Sequence, residues 1–147
     1  MDAGEAPRCE AILRSLPEWF GIDAAIVGYV DDIRRLPTWI ADVDGEDAGF
    51  VTVATHNEST AEIQVMAVRQ SVHRRGVGRA LLAAAETHAR TAGHRMLEVK
   101  TLGPSRDNEP YARTRAFYAA MGFLPLEESA SIWGERNPCL VMVKWLG

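Results

Sequence analysis

Apolar and polar residues alternate, or recur at helical spacing, through the middle of the chain, and the pattern predicts a strand, a helix and a second strand. Residues 62–68 alternate between a fully apolar face and a more polar one, as a half-buried strand does. Apolar and small residues then recur at helical spacing from about residue 78 to 92, and Gly93 is a natural stop for that helix. Residues 95–101 alternate again. This order predicts a βαβ unit whose two strands are parallel neighbours.

The same patterns predict further elements on both sides of this unit. No clear strand pattern precedes the first helical spacing, which Pro17 interrupts. We expect residues 1–7 to form a loose tail, and residues 44–47 to form a turn between two antiparallel strands. The predicted helices cover residues 10–20, 23–35 and 111–121, and the remaining predicted strands cover residues 38–42, 49–56, 123–129 and 139–145.

The turn that leads into the central helix has the composition of an anion-binding site. The first N–H groups of a helix lack internal partners and carry partial positive charge. Gly76 and Gly78 leave these groups uncovered, so that a phosphate can approach the backbone. Arg74, Arg75 and Arg79 add full positive charges. An ordinary strand-to-helix turn with surface arginines is the alternative, but three arginines around a Gly-x-Gly favour phosphate binding.

Composition limits the classes of function. The 147 residues suit one domain with a substantial core, and 47% hydrophobic with 24% charged residues is typical of a soluble globular protein. The net charge of −4 argues against a general nucleic-acid binder, so the arginines suit a small polyanion better than a duplex. Two isolated cysteines, Cys9 and Cys139, fit a reducing cytoplasm. We expect no membrane span and no signal peptide, because no apolar run approaches about 18 residues and the N-terminus is acidic.

Two segments carry a resemblance to a known family. Residues 73–80, HRRGVGRA, resemble motif A of the GNAT superfamily of acyl-CoA-dependent N-acetyltransferases, which is usually written Q/R-x-x-G-x-G/A. Residues 111–123, YARTRAFYAAMGF, resemble motif B of that family, which Tyr118, Gly122 and Phe123 fit. The departures are His73 at the position of Gln or Arg, and Tyr111 at the position of the usual Asn. The resemblance extends over about residues 47–126.

The resemblance implies an α/β (α+β) fold in a single acyl-CoA N-acyltransferase domain over residues 1–147. The expected architecture is a central mixed, mostly antiparallel sheet of about six to seven strands, flanked by about four helices. A parallel pair of strands should splay apart at the centre of this sheet. Because such folds often dimerise, a homodimer is also compatible with the resemblance.

The resemblance also implies which residues hold acetyl-CoA as co-substrate. Backbone N–H groups of the turn should bind the pyrophosphate, while Arg74 or Arg75 pairs with the nucleotide phosphates. The splayed strand should present main-chain groups to the pantetheine arm and the acetyl group. The expected cofactor-binding residues are Met66, Ala67, Val68, His73, Arg74, Arg75, Gly76, Val77, Gly78, Arg79 and Tyr111. We expect no metal, since His88 and His94 have the wrong spacing for two ligands on one helix face.

The implied reaction is direct attack of a primary amine on the thioester of acetyl-CoA in a ternary complex. The amine must lose a proton, and Glu62, on the strand face of Met66 and Val68, is the candidate base. The backbone N–H of Val68 is the candidate donor to the oxyanion, and Tyr118 is the candidate acid for the leaving thiolate. The alternatives are a solvated Glu62 at a strand start and a packed Tyr118. Cys139 is not favoured as a nucleophile, because no Cys-His partnership is visible.

The sequence leaves the amine acceptor open between a small metabolite, an aminoglycoside-like amine, a peptide N-terminus and a protein lysine. A different class of function is also open, namely an acyl-CoA-binding sensor or regulatory module without turnover. Glu62 and Tyr118 favour the enzyme. A nucleic-acid-binding domain built on the arginines is disfavoured by the net charge of −4.

Overall fold

The computed structural model describes residues 5–73 and 76–147 and contains, within these ranges, four α-helices and six strands. The elements are α1 (Glu5–Arg14), α2 (Asp23–Arg35), β1 (Thr38–Val43), β2 (Glu46–Thr55), β3 (Thr60–Val68), α3 (Val77–Thr91), β4 (Met96–Leu102), α4 (Glu109–Ala120), β5 (Leu124–Ser129) and β6 (Cys139–Trp145). A short 3-10 turn, Gln70–Val72, precedes α3. Apart from α1, the predicted elements differ from the observed ones by at most a few residues at their ends.

The strands form one six-stranded mixed sheet in the order β1-β2-β3-β4-β6-β5. β1 pairs antiparallel with β2, and β6 lies antiparallel to both β4 and β5. One pair of strands in the sheet is parallel, as the strand-helix-strand order requires. These findings confirm the predicted α/β class with a mixed, mostly antiparallel sheet.

The chain divides into two compact units, and the first contains the residues up to Ala54 together with Ile63–His88. Its core joins the apolar faces of α1 and α2 to side chains of the sheet. Buried members of this core are Ile12, Leu13, Ile33, Phe50 and Val65. Removal of these side chains from water is the main force that holds the two helices in place.

The second compact unit contains Thr55–Glu62 and Ala89–Gly147. In it β4, β6 and β5 form antiparallel pairs, and alternate side chains of β4 are buried as the sequence pattern predicts. The guanidinium of Arg115 in α4 donates from Nη1 to the carbonyl oxygen of Leu102 at 2.7 Å. This hydrogen bond ties α4 to the end of β4 and so helps to set the position of the aromatic residues on the helix.

The hairpin between β1 and β2 is tighter than the predicted turn at residues 44–47. Val43 pairs directly with Glu46, so only two residues make the turn. Asp44 and Gly45 both have positive φ, 54° and 84°. Two successive residues in the left-handed region match the natural twist of a hairpin, and Asp-Gly is a favoured pair for that geometry. Glu46 and Asp47 therefore belong to β2 instead of the loop.

The predicted loose tail at residues 1–7 is wrong for its last three residues, because α1 begins at Glu5. Residues 1–4 lie outside the described ranges. Pro7 is compatible with this helix because it lies in the first turn, where backbone N–H groups have no helical partner in any case. The helix ends at Arg14 and does not extend to residue 20. From Glu5 to Leu36 the described chain contains no strand.

Candidate active site

The turn before α3, in the first unit, has the backbone geometry of an anion site. Gly76 has a φ of +82°, and among the described residues not adjacent to it in the chain, none has an atom within 4 Å of where a Cβ would lie. Within the described residues, the hydrogen bonds of α3 begin with that from the N–H of Ala80 to the Gly76 carbonyl at 3.0 Å. The N–H groups of Val77, Gly78 and Arg79 precede it and therefore have no partner inside the helix. The positive φ at Gly76 agrees with the role predicted for this glycine.

His73, the residue that departs from the family pattern, fastens this turn to the end of β3. Its Nε2 lies 2.8 Å from the carbonyl oxygen of Val68 and must donate to it, because a carbonyl oxygen only accepts. The ring also packs edge-on against Trp19, with 5.7 Å between ring centroids. His73 thus has a positioning contact that needs no ligand. Arg74 and Arg75, predicted to pair with phosphates, lie outside the described residues.

The end of β3 is held close to β2 at a glycine. A Cβ atom at Gly49 would lie 2.7 Å from the carbonyl oxygen of Ala67 and 3.2 Å from the Cα of Val68. Ala67 is buried, while Met66 and Val68 are half-buried. Met66 and Val68 therefore lie on the less covered face of β3, the face that the alternation predicts for Glu62 as well.

Four residues of the second unit form a charged cluster: His56, Glu62, Glu98 and Lys100. Nε2 of His56 lies 2.6 Å from Oε1 of Glu62, and Nζ of Lys100 lies 2.9 Å from Oε2 of Glu62. Lys100 also contacts Oε1 of Glu98 at 2.8 Å, and His56 lies 3.4 Å from Oε2 of Glu98. Glu62 is only 6% exposed, so it is not a solvated residue at a strand start. Both of its carboxylate oxygens are engaged.

The charges of this cluster support one another. Burial disfavours the ammonium of Lys100, but the hydrogen bonds that Lys100 donates to Glu98 and Glu62 outweigh this and raise the pKa of Lys100 above its ordinary value. The ligand atoms of His56, Glu62 and Glu98 lie within 4.8 Å of one another, a spacing that a divalent cation could use. Lys100, however, already places a positive charge on both carboxylates. The donor set is therefore matched to an ammonium group.

Three residues of this cluster, His56, Glu98 and Lys100, are not among the site residues predicted from the sequence. A usable signal was present for two of them. Glu98 and Lys100 are the outward-pointing residues of β4, and the βαβ order makes that strand a parallel neighbour of the strand of Glu62. No sequence signal placed His56 beside Glu62, because it lies six positions away across a turn.

Tyr118 is packed within α4 and the adjoining turn of the second unit. It is 4% exposed, and its ring contacts Phe117 and Phe123 edge-on with centroid separations of 5.4 and 5.3 Å. Burial raises the pKa of the Tyr118 phenol well above its usual range, and the nearby Tyr111 adds to the shift. Tyr111 is half-buried, and its backbone N–H donates to Oδ1 of Asn108 at 3.1 Å, which caps the start of α4.

Cys139, the alternative nucleophile, is fully buried at the start of β6. Burial raises the pKa of its thiol to about 11, with Lys100 opposing the shift and Glu62 and Glu98 adding to it. A thiol with this pKa is protonated at neutral pH, and only the thiolate is an effective nucleophile. The burial and the pKa both argue against an acyl-cysteine intermediate.

Comparison with known proteins gives a family match over most of this architecture. The family model described as an acetyltransferase (GNAT) domain matches residues 34–125. That range contains β3, the turn with Gly76, the charged cluster and Tyr118. It therefore covers every residue predicted to bind cofactor or to take part in catalysis.

Solved structures share the fold at low sequence identity. A putative GNAT-family acetyltransferase from Desulfovibrio desulfuricans has a TM-score of 0.82 and 22% identity, covering 98% of this chain and 94% of its own. The ribosomal-protein-S18-alanine N-acetyltransferase from Escherichia coli has a TM-score of 0.78 and 16% identity, covering 100% and 91%. An aminoglycoside 6'-N-acetyltransferase in complex with coenzyme A has a TM-score of 0.76 and 14% identity, covering 97% and 91%.

One further comparison and the character of the helices also give negative results. None of the curated proteins matches the chain. Among the helices of the described ranges, none combines the length and the apolar character needed to cross a membrane.

Proposed function

Because the chain belongs to the GNAT family of acetyltransferases, we propose that it transfers the acetyl group of acetyl-CoA directly to a primary amine. The observation that carries the proposal is the start of α3 within the family-matched segment. There Gly76 adopts positive φ with open space around it, and three backbone N–H groups have no partner inside the helix. Such a helix start is suited to a diphosphate.

In the proposed complex, the pyrophosphate lies on the turn of residues 73–79, with Arg79 and the two preceding arginines supplying charge. Val77 is buried and anchors the start of the helix. Met66, Ala67 and Val68 offer main-chain groups to the pantetheine arm and the acetyl group, and Tyr111 contacts that arm. The close approach of β2 at Gly49 supports this assignment, because it restrains the backbone at Ala67 and Val68.

The amine must become neutral before its lone pair attacks the carbonyl carbon of the thioester. We assign proton removal to Glu62, acting directly or through an intermediary, since Glu62 is a buried carboxylate on the half-buried face of β3. The N–H of Val68 is the proposed donor to the oxyanion of the tetrahedral intermediate. When the C–S bond breaks, Tyr118 stabilises the leaving thiolate.

Burial of Tyr118 defines how it can act as the acid. Because its pKa is raised, the phenol remains protonated through the neutral range. The same shift makes complete proton transfer to a thiolate harder. Tyr118 therefore acts first as a hydrogen-bond donor to the sulfur and gives up its proton only as negative charge accumulates there.

The acceptor classes are suggested by relatives that carry the same fold. One of these proteins is a ribosomal-protein-S18-alanine N-acetyltransferase, and another is an aminoglycoside 6'-N-acetyltransferase. For this chain we propose a primary amine of a small molecule, peptide or protein.

The test measures heat of acetyl-CoA binding and release of coenzyme A thiol with a panel of acceptors. The panel contains an aminoglycoside, peptides with free N-terminal alanine, a lysine peptide blocked at its N-terminus, and simple diamines. Thiol release that depends on one acceptor, with acetylated product seen by mass spectrometry, is the expected result. Binding without turnover for every acceptor would favour an acyl-CoA sensor, and absence of binding would remove the proposal.

A further inference from the structure

Helix α2 carries two neighbouring aspartate–arginine pairs that differ in how deeply they are covered. Asp31 pairs with Arg34 at 3.0 Å, and Asp32 pairs with Arg35 at 2.6 Å, in each case three residues further along the helix. The side chain of Asp31 is 62% exposed, as is usual for a surface ion pair, whereas that of Asp32 is 25% exposed. The lower exposure of Asp32 indicates that a second element of the fold lies against its carboxylate.

That second element is β3, which contacts Asp32 through the side-chain amide of Gln64. Nε2 of Gln64 donates a hydrogen bond to Oδ2 of Asp32 at 2.9 Å, while Oδ1 of Asp32 accepts from Arg35. Because an ionised carboxylate only accepts hydrogen bonds, the NH₂ group of the amide must face Asp32, and this assigns the other position of the amide to the oxygen Oε1. The contact therefore places two acceptors, the carboxylate of Asp32 and the amide oxygen of Gln64, next to each other.

Gln64 lies on the same strand positions as the residues proposed to hold the acetyl group. Gln64, Met66 and Val68 are half-buried and alternate with buried positions of β3. Residues two positions apart on a strand are about 7 Å apart. Gln64 is thus one such step from Met66 and two from Val68. These three residues and Asp32 all belong to the first compact unit, so the pair of acceptors lies a short distance along β3 from the proposed acetyl site.

We propose that Asp32 and Gln64 form a subsite for an ammonium group of the acceptor, separate from the amine that is acetylated. This inference rests on the proposed acetyl transfer and adds a substrate class, namely small molecules with a second amine a few bonds from the first. The two amines need different surroundings. The reacting nitrogen must lose a proton before it attacks the thioester, whereas the second nitrogen keeps its charge and requires an anion. The separation along β3 provides both.

The hydrogen-bonding capacity of the pair matches an ammonium group. An ammonium has three donors, of which Asp32 and the amide oxygen of Gln64 can accept two and water the third. A carboxylate has about four acceptor positions, and Gln64 and Arg35 each use one of them. Arg35 does not close the subsite, because its side chain is 68% exposed and an exposed ion pair is held weakly. The partial burial of Asp32 makes its attraction for a cation stronger than that of a fully exposed aspartate.

The principal experiment compares putrescine with butylamine, which has the same carbon chain but lacks the second amine. Wild type should have a kcat/KM about tenfold or more higher for putrescine, because hydrogen bonds to charged groups contribute roughly that factor. Asp32→Asn keeps the shape of the side chain and can still accept from Gln64, but it removes the charge. It should lower kcat/KM for putrescine about tenfold or more, mainly through KM, and the loss for butylamine should be much smaller.

Asp31→Asn is the matched control, because Asp31 has the same kind of ion pair one residue earlier on α2 and is largely exposed. This variant should keep the wild-type preference for putrescine. An equal loss with both amines in Asp32→Asn would show that Asp32 only holds α2 against β3, and would overturn the subsite. A wild-type enzyme that acetylates butylamine as efficiently as putrescine, or that acetylates only acceptors with a single amine, would overturn it as well.

A binding measurement without turnover distinguishes failure of the subsite from failure of the proposed function. Putrescine is titrated calorimetrically into protein saturated with coenzyme A, which has no acetyl group to transfer. Asp32→Asn should weaken this binding about tenfold or more, and Asp31→Asn should keep it within about twofold. Acetyl transfer to amines without such a difference between the variants would overturn the subsite alone. Binding that depends on Asp32 without acetyl transfer to any amine would overturn the proposed function and leave only a cation-binding site.

Discussion

The two compact units offer different kinds of chemistry. The first presents main-chain groups, namely the helix start after Gly76 and the strand end at Ala67 and Val68. The second presents titratable side chains, namely the charged cluster around Glu62 and the phenol of Tyr118. Main-chain donors depend on backbone geometry, so we expect the phosphate site to tolerate the departure from the family pattern at His73. Titratable groups depend on their neighbours, so each substitution around Glu62 alters the chemistry. The difference predicts that substitutions at the helix start after Gly76 affect binding, and that substitutions in the charged cluster or at Tyr118 affect turnover.

The largest effect is expected at Gly76, where a substitution tests most directly whether the first unit binds the cofactor. Gly76→Asp places a negative charge at the proposed phosphate site and should weaken acetyl-CoA binding by about 100-fold or more. Gly76→Asn has nearly the same shape, tolerates positive φ and carries no charge, so it should lose far less. Calorimetry on both variants measures the difference. Equal, undiminished binding by the Asp variant would show that the phosphate lies elsewhere.

The next effect is expected at Tyr118 and concerns turnover alone. Tyr118→Phe keeps the ring between Phe117 and Phe123 but removes the hydroxyl. We expect kcat to fall about tenfold or more, with acetyl-CoA affinity within about twofold. Steady-state kinetics measures kcat, and calorimetry measures the affinity for acetyl-CoA. If kcat stays at the wild-type value, Tyr118 is a packing residue only.

A moderate effect on stability is expected at Lys100. Lys100→Met leaves Glu62 and Glu98 without their cation and should lower the free energy of unfolding by about 1 to 3 kcal/mol, whereas Lys100→Arg keeps the charge and should lose less. The folded state raises the pKa of Lys100 above its ordinary 10.5, so the lysine stabilises the fold fully below that pH and stops doing so as the pH rises through the folded-state value.

Urea unfolding of wild type and Lys100→Met between pH 7 and 11 measures this contribution. The gap between the two curves should be constant near neutrality and should narrow above about pH 10.5. A gap that is absent at pH 7 would mean that the ion pairs add nothing to stability.

The smallest effect is expected at Cys139. Its thiol is buried and its pKa is raised to about 11, so we expect it to take no part in the proposed transfer. Cys139→Ala should keep turnover within about twofold at a temperature where both proteins are folded. A loss as large as that expected for Tyr118→Phe would instead indicate an acyl-cysteine step.

The sequence was most informative where structure depends on local chain geometry. Gly76, Gly93 and Gly122 have positive φ at or next to the predicted helix boundaries, and α2 and β6 coincide with the predicted ranges. It was less informative at the start of α1, because Pro7 reads as a helix breaker unless it is known to lie in the first turn. The hairpin at Asp44 was predicted too long for a similar reason, since the left-handed conformation of both turn residues brings Glu46 into the strand.

The charged cluster shows why the rest could not be predicted. Glu62 was selected from its position on the strand, but its two partners lie six residues before it and 38 residues after it. Those contacts depend on strand register and side-chain rotamers, which a single sequence does not specify. The sequence therefore selected Glu62 as a candidate without revealing that its carboxylate is covered, ion-paired and hydrogen-bonded to an imidazole.

The two cysteines offer a use that has no connection with catalysis. Cys9 lies in the first unit and Cys139 in the second, both are reduced, and both are fully buried. A small electrophilic dye can therefore label either sulfur only when the surrounding unit opens. Peptide mapping of the labelled positions over time would give a separate opening rate for each half of the chain, without fluorophores or engineered reporters.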